Sequence, residues 1–215
     1  MRIPNSKVAD IVFESFRKAF EKKDTPPFQH DNPHRSAYFV SEIGRQVEAY
    51  FKGAKPHYMA VDSSADKKKM PGEWLFDICV TSQLEIIDER HKDGRSWINT
   101  NILFACESEF DTSLSSFATD FGKLICSNAN QYLFIQGLNQ STEQGRKDFI
   151  NSRKSIIRTY LEHLIRDDFV LAFIPTPGII KGQSYWDTNE KEVLSWASIW
   201  VYNASENDFI EHPIE

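Results

Sequence analysis

Asp77 is the single carboxylate of the otherwise apolar run Trp74-Leu75-Phe76-Asp77-Ile78-Cys79-Val80. An ionised side chain buried there costs several kcal/mol unless something pairs with it, so Asp77 needs a partner. A second run, Ile102-Leu103-Phe104-Ala105-Cys106-Glu107-Ser108-Glu109-Phe110, is apolar for five residues and then carries acids at positions i and i+2. On a strand, period-two alternation sends Glu107 and Glu109 to the same side, with Cα atoms about 6.5–7 Å apart. If the two runs are neighbouring strands, the three carboxylates converge. Clustered carboxylates repel one another and favour a divalent cation, foremost Mg2+, which prefers hard oxygen ligands and keeps several waters; Mn2+ is its natural substitute. Such an ion polarises a phosphoryl oxygen and acidifies a bound water, so Asp77, Glu107 and Glu109 together suit metal-assisted hydrolysis of a phosphodiester.

Positioning these acids takes two adjacent strands, and the apolar pattern predicts them over 74–81 and 102–110, both buried on two faces and joined through a polar stretch over 88–101. Upstream, Val8, Ile11, Val12, Phe16 and Phe20 recur at helical spacing and predict an amphipathic helix over 5–23, capped by Asn5 or Ser6. Pro26, Pro27 and Pro33 then enforce a loop. A second helix is expected over 36–51, with Ser36 as cap and Gly53 past its end. A short strand is expected over 58–61, and a solvated turn over 66–70 with its three lysines. Downstream, Asp111 or Thr112 caps a helix carrying Leu114, Phe117, Phe121, Leu124 and Ile125. A strand over 132–138, a helix over 142–165, a strand over 168–174 and an edge strand over 195–202 complete the chain. The strands ending at Phe110 and beginning at Tyr132 are expected to be parallel. This order predicts an α/β fold: a central mixed β-sheet flanked by helices, with 1–215 as one domain and its core over about 36–174.

With Asp77 on one strand, Glu107-Ser108-Glu109 on the next, and then a helix and a further strand, the chain resembles the restriction-endonuclease-like superfamily, known by its PD-(D/E)xK motif. The likeness runs over about 36–138 and implies a restriction-endonuclease-like core, DNA as substrate, and Asp77 and Glu107 as metal ligands. Glu109 stands where the motif has lysine, and Phe76 where it has proline. The sequence is thus similar to ExE variants, in which the second glutamate assists the water or binds another ion. The family also draws a glutamate from the helix before the sheet. Glu42 fills that place better than Glu48, lying nearer an inner face centred on Ile43. A lysine moved to the following helix is a further family variation, but Lys123 lies about 18 Å along that helix from Asp111 and is not expected to serve. The resemblance implies a Mg2+-dependent endonuclease in a restriction, repair or mobile-element setting, with a homodimer suited to cutting both strands. The competing expectation is a catalytically degenerate module that keeps the fold and binds without cleaving, favoured by the missing lysine and the acidic balance. A third is an unrelated α/β protein whose acids decorate its surface.

Over 215 residues the net charge is −6, which argues against a surface given over wholly to nucleic acid and leaves room for a local basic face. Arg146, Lys147, Arg153, Lys154 and Arg158 would form one on the late helix, as a solvated side or as phosphate contacts. Lys67, Lys68 and Lys69, beside Met70-Pro71-Gly72, could clamp a backbone, and Trp97 could anchor its loop or stack on a base. His30 and His34 flank Asp31, but Pro33 denies them the helical geometry that aligns ligands, which leaves a polar loop. His57, His91, His163 and His212 are isolated. Cys79, Cys106 and Cys126 form no CxxC pair and read as buried thiols of a reducing compartment, hence the cytoplasm. No apolar stretch reaches membrane-spanning length, and no P-loop, Gly-x-Ser-x-Gly or Gly-x-Gly-x-x-Gly occurs.

Overall fold

The computed structural model describes residues 2–24, 32–58, 60–61, 68–69, 75–87, 95–164, 168–185 and 187–214. Side chains at 32–34, 60–61, 68–69, 162–164 and 179 are not among those described. His30, Asp31, Lys67, Met70, Pro71, Gly72, Trp74 and His91 lie outside the described residues, as do the side chains of His34, Lys68, Lys69 and His163.

Helix α1 spans Asn5–Glu21 and buries the expected stripe of Val8, Ile11, Val12, Phe16 and Phe20. Neither Asn5 nor Ser6 caps it: Pro4 holds the N-cap position without a side-chain bond, while the Asn5 amide oxygen accepts from Gln131 Nε2 at 2.9 Å. Helix α2 spans Asn32–Glu48, one turn earlier than the pattern suggested, because a proline at position 33 sits in the first turn, where its missing N–H is harmless.

Strands β1 (Lys55–Tyr58), β4 (Ile78–Ile87), β5 (Arg95–Glu109), β6 (Tyr132–Leu138), β7 (Phe169–Pro175), β10 (Ser198–Asn203) and β11 (Asp208–His212) form one seven-stranded sheet in the order β1-β4-β5-β6-β7-β10-β11. The short pairs β2 (Ala60–Val61) with β3 (Lys68–Lys69) and β8 (Ile179–Ile180) with β9 (Gln183–Ser184) lie apart from it. Strands β5, β6 and β7 run parallel and the remaining neighbours antiparallel, so the sheet is mixed, with the 110-to-132 connection parallel as expected. Helices α3 (Leu114–Cys126) and α4 (Glu143–Leu164) serve as the two crossovers, and α5 (Glu190–Trp196) precedes β10.

Alternation assigns the faces. Phe134 meets Phe117 and Phe121 of α3, whereas Phe104 meets Phe51 just beyond α2 and Phe110 meets Phe39 within it. Glu107 is the register partner of Phe134, and Glu109 that of Gln136. The carboxylates of Glu107 and Glu109 therefore lie on the α3 side, opposite the side covered by α2. Tyr58 packs so closely on α2 that a Cβ on Gly44 would come within 2.6 Å of its ring, while Glu48 fixes its hydroxyl at 2.9 Å. Gly44→Ala should cost about 1–2 kcal/mol in chemical denaturation.

Several expectations shift. Strand β4 starts at Ile78, leaving Asp77 in a bend just before it, and β5 starts at Arg95, inside the stretch expected to connect the strands. Beyond Thr81, β4 pairs among the described residues only with the first half of β5, making a two-stranded ribbon. Both faces of such a ribbon meet water, so polar residues there do not oppose a strand. The ribbon carries exposed Leu84, Ile86, Ile87, Trp97 and Ile98. The expected edge strand over 195–202 is interior instead: residues 195–196 close α5, and β11 takes the edge. Ser113, not Asp111 or Thr112, caps α3. Cys79 and Cys106 are buried, but Cys126 is exposed. Among the described residues no helix is long and apolar enough to cross a membrane.

Candidate active site at the junction of β4 and β5

Because Ile78 is paired with Cys106, the bend residue Asp77 falls beside Glu107. Asp77 Oδ2 accepts the Ser108 N–H at 2.7 Å and also the Ser108 hydroxyl. The Glu107 side chain is only 4% exposed, and its Oε1 accepts from Lys123 Nζ of α3 at 3.4 Å. Lys123 is held in turn by Asp120 at 2.6 Å. Burial foremost, and Asp77 next, push the Glu107 carboxyl up to about 8, with Lys123 pulling the other way. Burial, then Asp77 and Glu107, likewise push up the Cys106 thiol. Two neighbouring acids and one ammonium thus share a poorly hydrated corner.

Lys123 was expected to be out of reach, and it is not. Helix α3 begins only at Leu114, so it runs about 14 Å to Lys123, and it runs back along β5, where Glu107 lies about 13 Å before Asp111 at strand rise. The side chain, leaning toward the helix N-terminus, spans the remaining few ångströms.

Glu109 points to the same face as Glu107 but turns from Asp77. Its Oε1 accepts the Asp111 N–H at 2.6 Å, and burial together with a hydrogen bond shared with Asp120 raises its pKa against that backbone bond. Glu42 is not brought to the site. Lys18 and Arg45 hold its carboxylate on the α1–α2 side, across the sheet from Glu107. Sequence reasoning placed it near the rim of its helix's inner face without knowing which face of the sheet that helix would cover.

Two residues near the site were not assigned to it from the sequence, Gln136 passing unremarked and Arg153 being read only as part of a basic helix face. Gln136 is fully buried and donates through Nε2 to the carbonyls of Glu109 at 2.9 Å and Asp111 at 3.1 Å. Arg153, 6% exposed, donates to the Thr112 carbonyl at 2.9 Å and lies between the rings of Phe117 and Phe149. Together they clamp the turn after Glu109. The signal for Gln136 was legible, since it is the lone amide in the run Tyr132-Leu133-Phe134-Ile135-Gln136-Gly137-Leu138.

The basic residues of α4 are largely engaged within the fold. Arg146 donates to the carbonyls of Trp196 and Ala197, Arg153 is buried as described, Lys154 lies 3.4 Å over the Trp200 ring, and Arg158 pairs with Asp208. Trp97 is a strand residue of the ribbon rather than of a loop, about 33 Å from Glu107 along β5, or about ten base-pair steps of a duplex.

Among the described residues no group of three His, Cys, Asp or Glu side chains stands close enough to hold an ion, so Asp77, Glu107 and Glu109 do not form the expected triad. The pair Asp77 and Glu107 nevertheless has a donor set that fits Mg2+, which commonly takes one or two carboxylates and completes its shell with water and substrate phosphate. Compared with known proteins, the chain matches no family model, no curated protein and no solved structure.

Proposed function

We propose that the chain is a Mg2+-dependent endonuclease hydrolysing DNA phosphodiester bonds, with a site of restriction-endonuclease-like type. The observation that carries this reading is the set Asp77, Glu107 and Lys123, an acid in the bend before β4, an acid on the neighbouring β5 and a lysine on the following helix, with Nζ 3.4 Å from Glu107 Oε1. Asp77 and Glu107 would hold the ion. When bound, it would polarise a phosphoryl oxygen and supply an acidified water. Lys123, with three donors on its ammonium, can orient that water or a phosphate oxygen, which is the task of the lysine that Glu109 displaces from the motif. Asp120 positions Lys123, and Glu109 shapes the turn that Gln136 and Arg153 clamp.

A binding module of the same architecture is the competing reading, favoured by the two hydrogen bonds from Ser108 that already satisfy Asp77. Nicking of supercoiled plasmid in Mg2+ or Mn2+ separates the two. Asp77→Asn and Lys123→Met should each slow nicking by about a hundredfold or more while the chain stays folded. Nicking at the same rate in the wild type and both variants, or none in any of them, removes the nuclease.

A further inference from the structure

The face of the sheet that carries Glu107 continues outward along the ribbon of β4 and β5. Ala105, two residues before Glu107, shares its face, and Cys79 is the register partner of Ala105. Alternation along β4 then puts Thr81, Gln83, Glu85 and Ile87 on that face. Their register partners on β5 are Ile102, Asn99, Trp97 and Arg95. The two register shifts leave Leu103 and Thr100 as extra residues of β5, so the strands stay matched face to face across them.

Gln83 and Asn99 stand opposite each other, both half-buried. Gln83 Nε2 donates to Asn99 Oδ1 at 2.8 Å, and the buried Thr81 hydroxyl donates to the same oxygen at 3.1 Å. The linked amides are left with Asn99 Nδ2 as donor and Gln83 Oε1 as acceptor, neither with a hydrogen-bond partner among the described residues. A donor and an acceptor complement the major-groove edge of adenine, where N7 accepts and the N6 amino group donates. Guanine offers two acceptors there, N7 and O6, and does not fit the pair. The major groove also admits a two-stranded ribbon. Beyond Thr81 this ribbon has that width among the described residues. Arg95 stands 3.9 Å from Glu85 and offsets its charge on the same face. Counted along β4, Gln83 lies six residues beyond Asp77, about 20 Å or about six base-pair steps.

We infer that the ribbon enters the major groove and reads an adenine about six base pairs from the cut, Asn99 Nδ2 donating to N7 and Gln83 Oε1 accepting from the N6 amino group. The inference rests on the nuclease reading for its ligand, duplex DNA, and makes Gln83 and Asn99 specificity-determining residues. A pool of duplexes about three helical turns long, with a random centre, is enriched by repeated gel shift on the full chain in Ca2+. The retained duplexes should share an adenine, and its replacement by 7-deazaadenine, which lacks N7, should weaken binding about fivefold or more. Asn99→Leu and Gln83→Leu should each weaken the retained duplexes by a similar factor and lose the preference for adenine, with the unfolding temperature within about 2 °C of wild type. The altered base tests the same contact on the unaltered protein, whatever the variants do to the fold. Retained duplexes that are not nicked in Mg2+ remove the nuclease and leave the reader. Nicking with no adenine preference removes the reader and leaves the nuclease. The inference is also overturned if no duplex is retained, if 7-deazaadenine binds undiminished, or if both variants keep the wild-type preference.

Discussion

Glu107→Gln should make the protein more stable at about pH 9 by as much as about 4–5 kcal/mol, and leave it unchanged at about pH 4. The folded protein raises the Glu107 carboxyl from 4.5 to about 8, through burial first and Asp77 second. Below the lower value both the folded and the unfolded chain keep the proton, and nothing is lost. Between the two values the unfolded chain has released it while the folded one still holds it, so stability falls as pH rises. Above about 8 the penalty stands in full, at about 1.4 kcal/mol for each pH unit of the interval. Glutamine keeps the shape and removes the titration. Denaturant unfolding of both proteins at the two pH values measures this, and an equal difference at both would sink it. On the proposed nuclease reading, the same substitution should abolish Mg2+-dependent nicking, and Mg2+ should raise the unfolding temperature of the wild type but not of the variant.

Gly137→Ala should destabilise the chain by about 2–3 kcal/mol and lower its unfolding temperature by about 5–10 °C. A Cβ at this position would stand 2.7 Å from the Phe110 carbonyl oxygen, 2.8 Å from its Cα and 2.8 Å from Thr176 Cγ2. Two of these are backbone atoms with no rotamer to change. Gly137 lies in β6 between its neighbours β5 and β7, so the strain cannot escape to a sheet edge. The displaced segment is the one that Gln136 grips, and the damage should therefore reach Glu109 as well. An unfolding temperature within about 2 °C of wild type would contradict this account.

The order of elements was readable because its signals are strong and local. The buried run at Tyr132–Leu138 and the apolar stripe of α1 declare strand and helix without help from the rest of the chain. The adjacency of Asp77 and Glu107 was readable too, since Asp77 is the lone acid of one apolar run and Glu107 is the first acid after five apolar residues in the next. The failures share a physical cause, which is that face and direction are tertiary properties. The period of α2 gives its inner side but not the side of the sheet it covers, and so Glu42 was misplaced. Helix length overstated the distance to Lys123 because the crossover doubles back. The α5 helix, of 7 residues, and the β11 strand, of 5, are too short for periodicity to register.

The ribbon of β4 and β5 has a consequence for how the molecule comes apart. Beyond Thr81 and Ile102 each strand has one hydrogen-bonded neighbour among the described residues, and the apolar side chains there contribute little burial. An isolated pair of strands is marginal in water, so this extension opens with a much smaller free energy than the sheet it grows from. Cooperativity stops at its root. Substitutions along it should change solubility far more than global stability, and its outward-facing leucine, isoleucines and tryptophan make it the part of the chain on which selection against self-adhesion acts most directly.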